Sequence, residues 1–530
     1  MVSILKKIHP LTLIFFFALI LSLVIKILSV WGNNFPLTYD QGRDLVDLRQ
    51  MVVTHTPRLV GPTTSINGVL LGPFYYYFLL IPFLIFGGSP MAIVIWQILW
   101  YQFAVLILWF VLKKKSVIQA NLVGIILSLL PTGFYTARYF WNANAMPIFT
   151  ILFITALVYS FENRSLKKSF LVGLVSGLSL QIEAAFGIIF FPFALLLLLL
   201  KRFSFKNIFA SLVGFVVTIL PQALFEVRHN FLMTKTLLSE FTGKAAILGE
   251  KLSFSERLPE RELRFINTLR DTNHIPFETL SLIYPILLVL GIYYLLSKYR
   301  KNIPNDLTLL SLSFFIVSII FYLVFPMGIK TWYVLGLTIP AAVFFCSIFE
   351  RIFSKNIIGK ILVFIFILFT FSNTLKAHLE YLGKNFNKPS DNPSNLMNEI
   401  KAVDWVYQQA EGKGFRVYSY LPAIYDYPFQ HAFWWYGTKT YGYQPENIAY
   451  LPNQPEYIIK GDLAWTKKKE TLDGTPVFLI IQGDSEHSDF FQKWMGNFSK
   501  LCSTKETQII DSLKVVKLVS CVGQPTTIAK

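Results

Sequence analysis

Charge is scarce in this sequence. Only 15% of its 530 residues are Asp, Glu, Lys or Arg, whereas 54% are hydrophobic, and the mean hydropathy is +0.51. A soluble domain does not carry this composition, because it would expose too much apolar surface. A membrane barrel is also disfavoured: the apolar residues form runs long enough to cross a hydrocarbon core of about 30 Å as helices, and they do not alternate with polar ones. The composition predicts a helical protein that crosses the membrane several times.

Familiar hydrolase motifs are missing as well. The chain contains no Gly-rich phosphate loop, no Gly-x-Ser-x-Gly and no His-Glu-x-x-His, which argues against nucleotide hydrolysis and the common hydrolase designs. Cysteine is limited to Cys346, in an apolar run, and to Cys502 and Cys521 in the C-terminal tail. The two tail cysteines either pair as a disulfide or stay free, since spacing alone does not give geometry.

Basic residues cluster in alternate connections between the apolar runs. The clusters lie near residues 6–7, 113–115, 164–168, 201–206, 298–301 and 351–355. The positive-inside rule places all of them in the cytoplasm. The outward-facing loops are then 31–67, 132–142, 181–184, 226–277 and 326–331. The net charge of +17 is therefore explained by the membrane topology, and no nucleic-acid partner is expected.

The apolar runs predict eleven transmembrane helices. They lie near residues 10–30, 91–112, 117–138, 143–161, 169–182, 184–200, 207–225, 278–297, 306–325, 332–350 and 357–376. The first is expected to stay as an anchor, because it is long and lacks a small-x-small cleavage site. The stretch 72–87 is left out, since counting it would turn every later basic cluster outward; it is predicted to lie at the outer surface. An odd count with a cytoplasmic N-terminus places the C-terminus outside.

Composition becomes polar after the last predicted span. We expect a transmembrane domain at 1–376, with outer loops at 31–90 and 226–277, and a small extracytoplasmic α/β domain at 377–530. The loop 226–277 is charge-balanced and is either a lid or a solvated cap. The tail's aromatic stretch "YDYPFQHAFWWYGTKTYGY" either stacks on sugar rings or packs against the domain core or the membrane surface.

Polar residues at the outer ends of the predicted spans are candidates for function, because the spans themselves are almost free of charge. In chain order they are Asp40, Arg43, Asp44, Arg58, Arg138, Asn142, Asn144, Glu183, Glu226, Arg228, His229 and Lys330. Carboxylates among cations suit a transfer from a lipid phosphate, in which a base takes the acceptor's proton and cations or a metal stabilise the leaving phosphate. Asp40 also fits a helix N-cap, since "YDQGRDLVDLRQM" begins an amphipathic helix.

Two stretches resemble a known family. "LTYDQGRDLVDLRQMVVTHTPRLVGP…GPFYYYFLLIPFLIFG" follows the first span and "ARYFWNANAMPIF" follows the third, and both are similar to the GT-C superfamily of integral-membrane glycosyltransferases, especially protein O-mannosyltransferases and bacterial aminoarabinose transferases. In that family an essential acidic residue begins the first outer loop, two juxtamembrane helices follow, and the donor is a sugar on a polyprenyl phosphate. The resemblance implies that Asp40 is the base or anchors a divalent metal ion.

The sequence departs from this family around the implied metal site. Gln41 follows Asp40 where the family often has a second carboxylate, so Asp44 or Glu183 would have to replace it. The family's acidic residue after the third span is replaced by Asn142 or Asn144, which can donate and accept hydrogen bonds but carry no charge.

The family's Lys before the second juxtamembrane stretch is absent too. Contact with the donor phosphate would then come from Arg58, Arg138 or Lys330. Arg138 keeps its place in the family pattern and is expected to bind the donor phosphate or to hold Asp40, unless it is an interfacial Arg that reaches toward the headgroups. A further charged group either contacts donor or acceptor or anchors the loop: Glu226, Arg228 and His229.

We therefore expect a glycosyltransferase of the cell membrane. It would take a sugar from a polyprenyl-phosphate donor that enters from the membrane lipids, and transfer it to a hydroxyl of a lipid, glycan or protein acceptor at the outer face. One alternative is a transporter or flippase of lipid-linked saccharides, which should show charges at mid-membrane and repeated halves; the sequence shows neither. Another is a polymerase or ligase of lipid-linked glycans, which predicts a late outer loop richer in Arg than 226–277.

Overall fold

The computed structural model describes residues 9–66, 68–242, 252–273, 307–326, 328–421, 425–452, 475–483 and 489–521. Contacts divide the chain into two compact units that interleave along the sequence. The helical unit comprises Met1–Ile27, Arg58–Phe78 and Ile95–Glu380. The sheet unit comprises Leu28–Pro57, Leu79–Val94 and Tyr381–Lys530. The beginning of the first outer loop therefore belongs to the same compact unit as the C-terminal tail, and the predicted domain boundary at residue 376 stays a prediction.

Long apolar helices dominate the structure. Seven helices of the described residues are long and apolar enough to cross a membrane: Pro10–Asn33, Pro90–Lys113, Ala143–Glu162, Phe205–Arg228, Leu307–Val324, Thr331–Lys355 and Ile357–Asn385. Val117–Leu129 and Pro131–Arg138 form an eighth if this pair, bent by 46°, is one span. The bend follows from Pro131, which lacks an N–H donor and forces the preceding residue, Leu130, into an extended conformation. The chain is a multi-pass membrane protein, as its composition predicts.

Two more predicted spans are shorter helices, and one cannot be compared. Leu166–Ile182 corresponds to the predicted span 169–182, and Ala184–Gly187 with Phe190–Leu200 corresponds to 184–200. The predicted span 278–297 lies outside the described residues. The predicted multi-pass helical fold is thus confirmed, while the count of eleven spans is not.

The stretch 72–87 forms a helix at Phe74–Ile85, with Pro82 inside it. Its 12 residues extend about 18 Å at 1.5 Å per residue. This is well short of a hydrocarbon core of about 30 Å, which agrees with leaving the stretch out of the predicted spans.

Close packing in the helical unit depends on small residues. A Cβ added at Gly173, in the helix Leu166–Ile182, would overlap the backbone carbonyl of Ser211 in the helix Phe205–Arg228, and one at Gly214 would overlap the carbonyl of Phe170. Glycines at such crossings let two helix backbones touch, which gains van der Waals contact where lipid gives no hydrophobic drive.

The sheet unit contains a five-stranded mixed sheet within its described residues. Its strands are β1 (Arg416–Tyr420), β2 (Asn447–Ala449), β3 (Val477–Gln482), β4 (Leu501–Ile510) and β5 (Leu513–Ser520), in the order β2-β1-β3-β5-β4. β1 pairs in parallel with β2 and β3, whereas β5 runs antiparallel to β3 and β4. The predicted helix near 395–410 is Leu396–Ala410, which Asn395 caps by accepting a hydrogen bond of 3.1 Å from the N–H of Met397.

The core of the sheet unit lies on both faces of the sheet. Val403, Val406 and Phe433 pack with Phe415 and Phe478 on one face, and Phe491 and Trp494 cover the other. Cys502 and Cys521 form a disulfide with an S–S distance of 2.05 Å. The small α/β tail predicted from alternating patterns is therefore present; only the short strand β2 was not predicted.

Candidate functional site

The helix Tyr39–Thr54, here called the first-loop helix, carries the leading candidate residues. Its N-cap is Thr38, and the side-chain oxygen of Gln41 accepts hydrogen bonds of 2.8 Å from both the N–H and the hydroxyl of Thr38. The helix start is thus satisfied by Thr38 and Gln41, in the manner of a capping box. Asp40 is not the N-cap, and its carboxylate is available for another role.

Arg43 joins the two carboxylates of the first-loop helix. Its Nη1 lies 3.1 Å from Asp40 Oδ1, while its Nη2 and Nε lie 2.8 and 3.0 Å from Asp44 Oδ1. The side chains of Arg43 and Asp44 are 5% and 0% exposed, whereas that of Asp40 keeps 32% of its surface. Asp44 therefore holds the guanidinium from below, and Asp40 is the member that a substrate can reach.

Burial sets the protonation of this cluster. It raises the pKa of Asp44 to about 7, against the opposing charge of Arg43. It also raises the pKa of Asp40 above its usual range, again opposed by Arg43. A carboxylate whose pKa lies above the ordinary range is a stronger base, and Arg43 keeps it ionised.

The rest of the sheet unit surrounds the first-loop helix with aromatic residues of the tail. Gly42 lies against Pro428, where an added Cβ would come within 2.5 Å of the Pro428 nitrogen. Arg49 donates a hydrogen bond of 3.1 Å to the carbonyl of Gln430, and its guanidinium lies 5.7 Å from the ring of Trp434. Most of the predicted aromatic stretch is thus used in packing, as one of its two interpretations expected.

A divalent metal ion finds little support in these side chains. Among the described residues, no group of three or more His, Cys, Asp or Glu side chains is placed to hold one. Asp40 and Asp44 both pair with Arg43, and Gln41 is engaged by Thr38. A metal at Asp40 does not fit this arrangement, because the guanidinium already occupies the position of the cation.

A cavity of about 380 Å³ lies in the helical unit. Its lining comes from the turn after the third span, from the segment Thr331–Thr338 and from a helix of the long outer loop, Phe254–Asn273. The residues are Pro131, Thr132, Tyr135, Trp141, Asn144, Arg264, Asn267, Thr331, Trp332, Val334, Leu335 and Thr338. Three of the loops that were predicted to face outward therefore meet at one cavity.

Aromatic walls and one guanidinium characterise this cavity. The rings of Trp141 and Trp332 meet edge to face with centroids 5.3 Å apart. Arg264 and Asn267 enter from the helix Phe254–Asn273, and Asn144 donates a hydrogen bond of 2.7 Å to the carbonyl of Tyr139. Such a cavity can hold an anionic group against apolar rings.

The helix Phe254–Asn273 is held in place by its charged residues. Arg257 donates to the carbonyls of Leu323 and Val324 at 3.1 and 3.0 Å. Arg261 donates to the carbonyl of Tyr322 at 3.0 Å. These carbonyls end the span Leu307–Val324 and have no partner within it, so the two arginines cap that helix. Glu260 adds a contact by accepting 2.9 Å from the N–H of Ile329.

Glu183 lies at the break between two shorter helices. Its carboxylate accepts a hydrogen bond of 3.2 Å from the N–H of Ala185, and burial raises its pKa to about 7. Asn142 donates to the carbonyl of Ile182 at 2.9 Å, and the hydroxyl of Tyr322 donates to Ala185 at 3.1 Å. The outer loop 181–184 is thereby tied to two of the loops that line the cavity.

Other predicted site residues serve local contacts. Arg138 pairs with His378, with Nη2 3.1 Å from the ring Nδ1. Glu226 accepts hydrogen bonds of 2.9 Å from the N–H groups of Met233 and Thr234, which anchors the helix Leu232–Phe241. His229 stacks on Phe225.

The remaining three predicted residues are less constrained. The guanidinium of Arg58 lies 5.7 Å from the ring of Tyr76. Arg228 and Lys330 are exposed. Arg264, Asn267 and Trp332 were not predicted; the only signals in the sequence were the amphipathic pattern of the loop and the position of Trp332 beside Lys330.

No sequence family matches the chain, and no curated protein matches it by sequence. Solved structures do match. The structure of ArnT from Cupriavidus metallidurans in the apo state superposes with a TM-score of 0.57 at 11% identity, covering 94% of this chain and 97% of that one. The same protein bound to undecaprenyl phosphate gives 0.55, with the same identity and coverage. An oligosaccharyltransferase from Archaeoglobus fulgidus, in complex with Zn and sulfate, gives 0.46 over 90% of this chain and 69% of that one, too low to support an argument.

Proposed function

We propose that this chain, which has the GT-C fold of the aminoarabinose transferase ArnT as its sequence resemblance predicted, is itself a glycosyltransferase. It would move a sugar from a polyprenyl-phosphate donor to an acceptor hydroxyl at the outer face of the cell membrane. The observation that carries the proposal is the buried Arg43–Asp44 pair that supports a partly exposed Asp40 at the start of the first outer loop. The ArnT structure with undecaprenyl phosphate supports a donor of that chemistry.

Asp40 is proposed as the general base. As the acceptor oxygen attacks the anomeric carbon, its proton passes to the Asp40 carboxylate, and the bond between the anomeric carbon and the phosphate oxygen breaks. The electrons of that bond leave with the polyprenyl phosphate, and Asp40 returns the proton to solvent. Arg43 holds Asp40 in its ionised form and in one orientation, and Asp44 holds Arg43.

The cavity of the helical unit is proposed to bind the donor's phosphate and sugar. Its volume of about 380 Å³ is within the range of small-molecule sites, about 300–1,000 Å³. Arg264 would pair with the phosphate, Asn267 and Asn144 would bond polar atoms, and Trp141 and Trp332 would cover the sugar ring. The long outer loop then acts as a docked helix that presents these groups, since Arg257 and Arg261 fix it to the end of a span.

Transfer is favoured over transport or flipping by the ArnT fold. We also propose that the N-terminus is cytoplasmic and that the sheet unit's tail is extracytoplasmic, as the positive-inside rule predicts. The disulfide between Cys502 and Cys521 supports this orientation, because disulfides persist outside the reducing cytoplasm.

The test is turnover by purified protein in lipid nanodiscs. A panel of polyprenyl-phosphate sugars is supplied with membrane extract as the source of acceptor, and release of polyprenyl phosphate is measured. Asp40→Asn should abolish release, while Asp391→Asn, an exposed site in the same unit, should leave it unchanged. Full release by Asp40→Asn, or no release from any donor by the wild-type protein, would contradict the proposal.

A further inference from the structure

Three tyrosines form an aromatic cluster in the sheet unit, beside the carboxylates. Tyr39 opens the first-loop helix, and Tyr425 and Tyr427 come from the tail. The rings of Tyr425 and Tyr427 are stacked, with centroids 5.3 Å apart and planes 4° from parallel. The ring of Tyr39 lies 5.5 Å from each of them. We call this group the tyrosine platform.

The platform is anchored on one side and open on the other. Tyr427 is only 7% exposed and packs with Val46 of the first-loop helix. Tyr425 is 52% exposed, in contrast to the buried aromatic residues that follow it in the tail, such as Phe429 and Phe433. An exposed tyrosine ring held by stacking against a buried one keeps a fixed orientation without burying its own face.

Charged groups adjoin the platform directly. Tyr39 precedes Asp40 in the first-loop helix, and the guanidinium of Arg43 lies 5.7 Å from the Tyr39 ring. Asp40 itself is 32% exposed. The same surface therefore offers a flat ring, a carboxylate that accepts hydrogen bonds and a guanidinium that donates them.

This combination matches the chemistry of a sugar ring. A pyranose has an apolar face of C–H groups, which covers an aromatic ring, and a rim of hydroxyls, which suits carboxylate and guanidinium partners. A purely apolar ligand would gain nothing from Asp40 and Arg43, and a simple anion would be repelled by Asp40. The page thus favours a neutral polyhydroxyl ligand.

We propose that the tyrosine platform binds the acceptor, and that the acceptor is a carbohydrate. A pyranose of the acceptor stacks on Tyr425, and a hydroxyl of that sugar or of its neighbour bonds to Asp40. The inference rests on the proposed function, since it takes Asp40 as the base of a glycosyl transfer. It narrows the acceptor from a lipid, glycan or protein hydroxyl to a sugar hydroxyl, and it gives the C-terminal tail a role in substrate recognition.

The experiment measures glycan binding without any donor, so that it does not depend on turnover. Full-length protein in nanodiscs is examined by saturation-transfer NMR with three soluble probes: maltohexaose, cellohexaose and chitohexaose. We expect signal from ring C–H protons of at least one probe. Tyr425→Ala should weaken its binding by about threefold to tenfold, the range for loss of one stacking contact. Tyr425→Phe keeps the ring and should retain the affinity.

Phe490→Ala is the matched control, because Phe490 is a 77% exposed aromatic residue of the same unit that lies outside the platform. Signal from none of the three probes, or equal affinity in Tyr425→Ala and the wild-type protein, would overturn the inference. Asp40→Asn separates the two proposals. Loss of transfer with glycan binding kept supports both, whereas glycan binding in a wild-type protein that transfers no sugar refutes the proposed function and leaves the platform as a glycan-binding site.

Discussion

The charge on Arg43 should set the acid limit of activity, and this can be worked from the geometry of the cluster. Arg43→Met removes the cation next to Asp40, and it is combined with Asp44→Asn so that no buried carboxylate is left without its partner. Breaking one side of a buried pair costs about 3–5 kcal/mol, whereas removing both charges is often nearly neutral. The double variant should therefore fold.

The size of the effect follows from the distance of 3.1 Å between Arg43 Nη1 and Asp40 Oδ1. Two unit charges at that separation attract by about 1.3 kcal/mol at the dielectric constant of water and by about 5 kcal/mol at an effective constant of 20. Because Asp40 is 32% exposed, screening by solvent favours the lower part of this range. Every 1.4 kcal/mol is tenfold, so at a pH below the pKa of Asp40 the double variant should lose at least about tenfold in kcat/KM.

The sign is as follows. A general base must be ionised, and Arg43 favours the ionised carboxylate, so removing Arg43 raises the pKa of Asp40. The acid limb of a kcat/KM profile, measured by release of polyprenyl phosphate between about pH 5 and pH 9, should move to higher pH, and activity should recover at the alkaline end. Arg49→Met removes a buried cation from the same helix without touching Asp40 and should not move the limb. A double-variant profile that superposes on the wild-type one would refute the role given to Arg43.

Three further predictions concern other parts of the chain. Arg264→Ala should lower kcat/KM for the lipid donor about 10- to 100-fold, the range for losing a charged hydrogen bond, whereas Lys235→Ala, at an exposed position of the same loop, should not. Glu183→Gln should flatten the pH dependence of thermal stability: burial raises the folded pKa of Glu183 to about 7, so the wild-type protein loses stability as pH rises through neutrality and the amide does not, as differential scanning fluorimetry would register. In intact cells, Cys502 and Cys521 should take up a maleimide mass tag only after reduction, and tagging without reductant would contradict the orientation; the variant Cys502→Ser with Cys521→Ser should lose about 2–4 kcal/mol of stability.

The first-loop helix shows how far local patterns reach. An amphipathic start was predicted at "YDQGRDLVDLRQM", and the helix Tyr39–Thr54 is there. The pattern Thr38-x-x-Gln41 is itself a capping-box signal and could have assigned the cap to Thr38 from sequence alone. What no pattern could give was the ranking of Asp40 and Asp44, which depends on which carboxylate the folded tail buries.

The cavity shows the opposite limit. Trp141, Arg264 and Trp332 are separated by more than sixty positions from one another along the chain, and in the sequence Arg264 is one of many charges in a loop of balanced charge. Its significance arises when Arg257 and Arg261 cap the carbonyls that end the span Leu307–Val324 and bring the loop helix to the turn at Trp141. Neither hydropathy nor periodicity carries that information.

The sequence by itself determined the membrane class, most of the spans, the strands of the tail and the position of Asp40 at the start of the first loop. Each of these follows from local rules: the length of an apolar run, the period of its polarity, and the chemistry of a helix start. Tertiary structure alone decided that the start of the first loop belongs to the same compact unit as the tail, that Arg43 lies between two carboxylates of different exposure, and that Arg264 lines a cavity. Burial and pairing depend on contacts between residues far apart in the chain, and only folding brings these together.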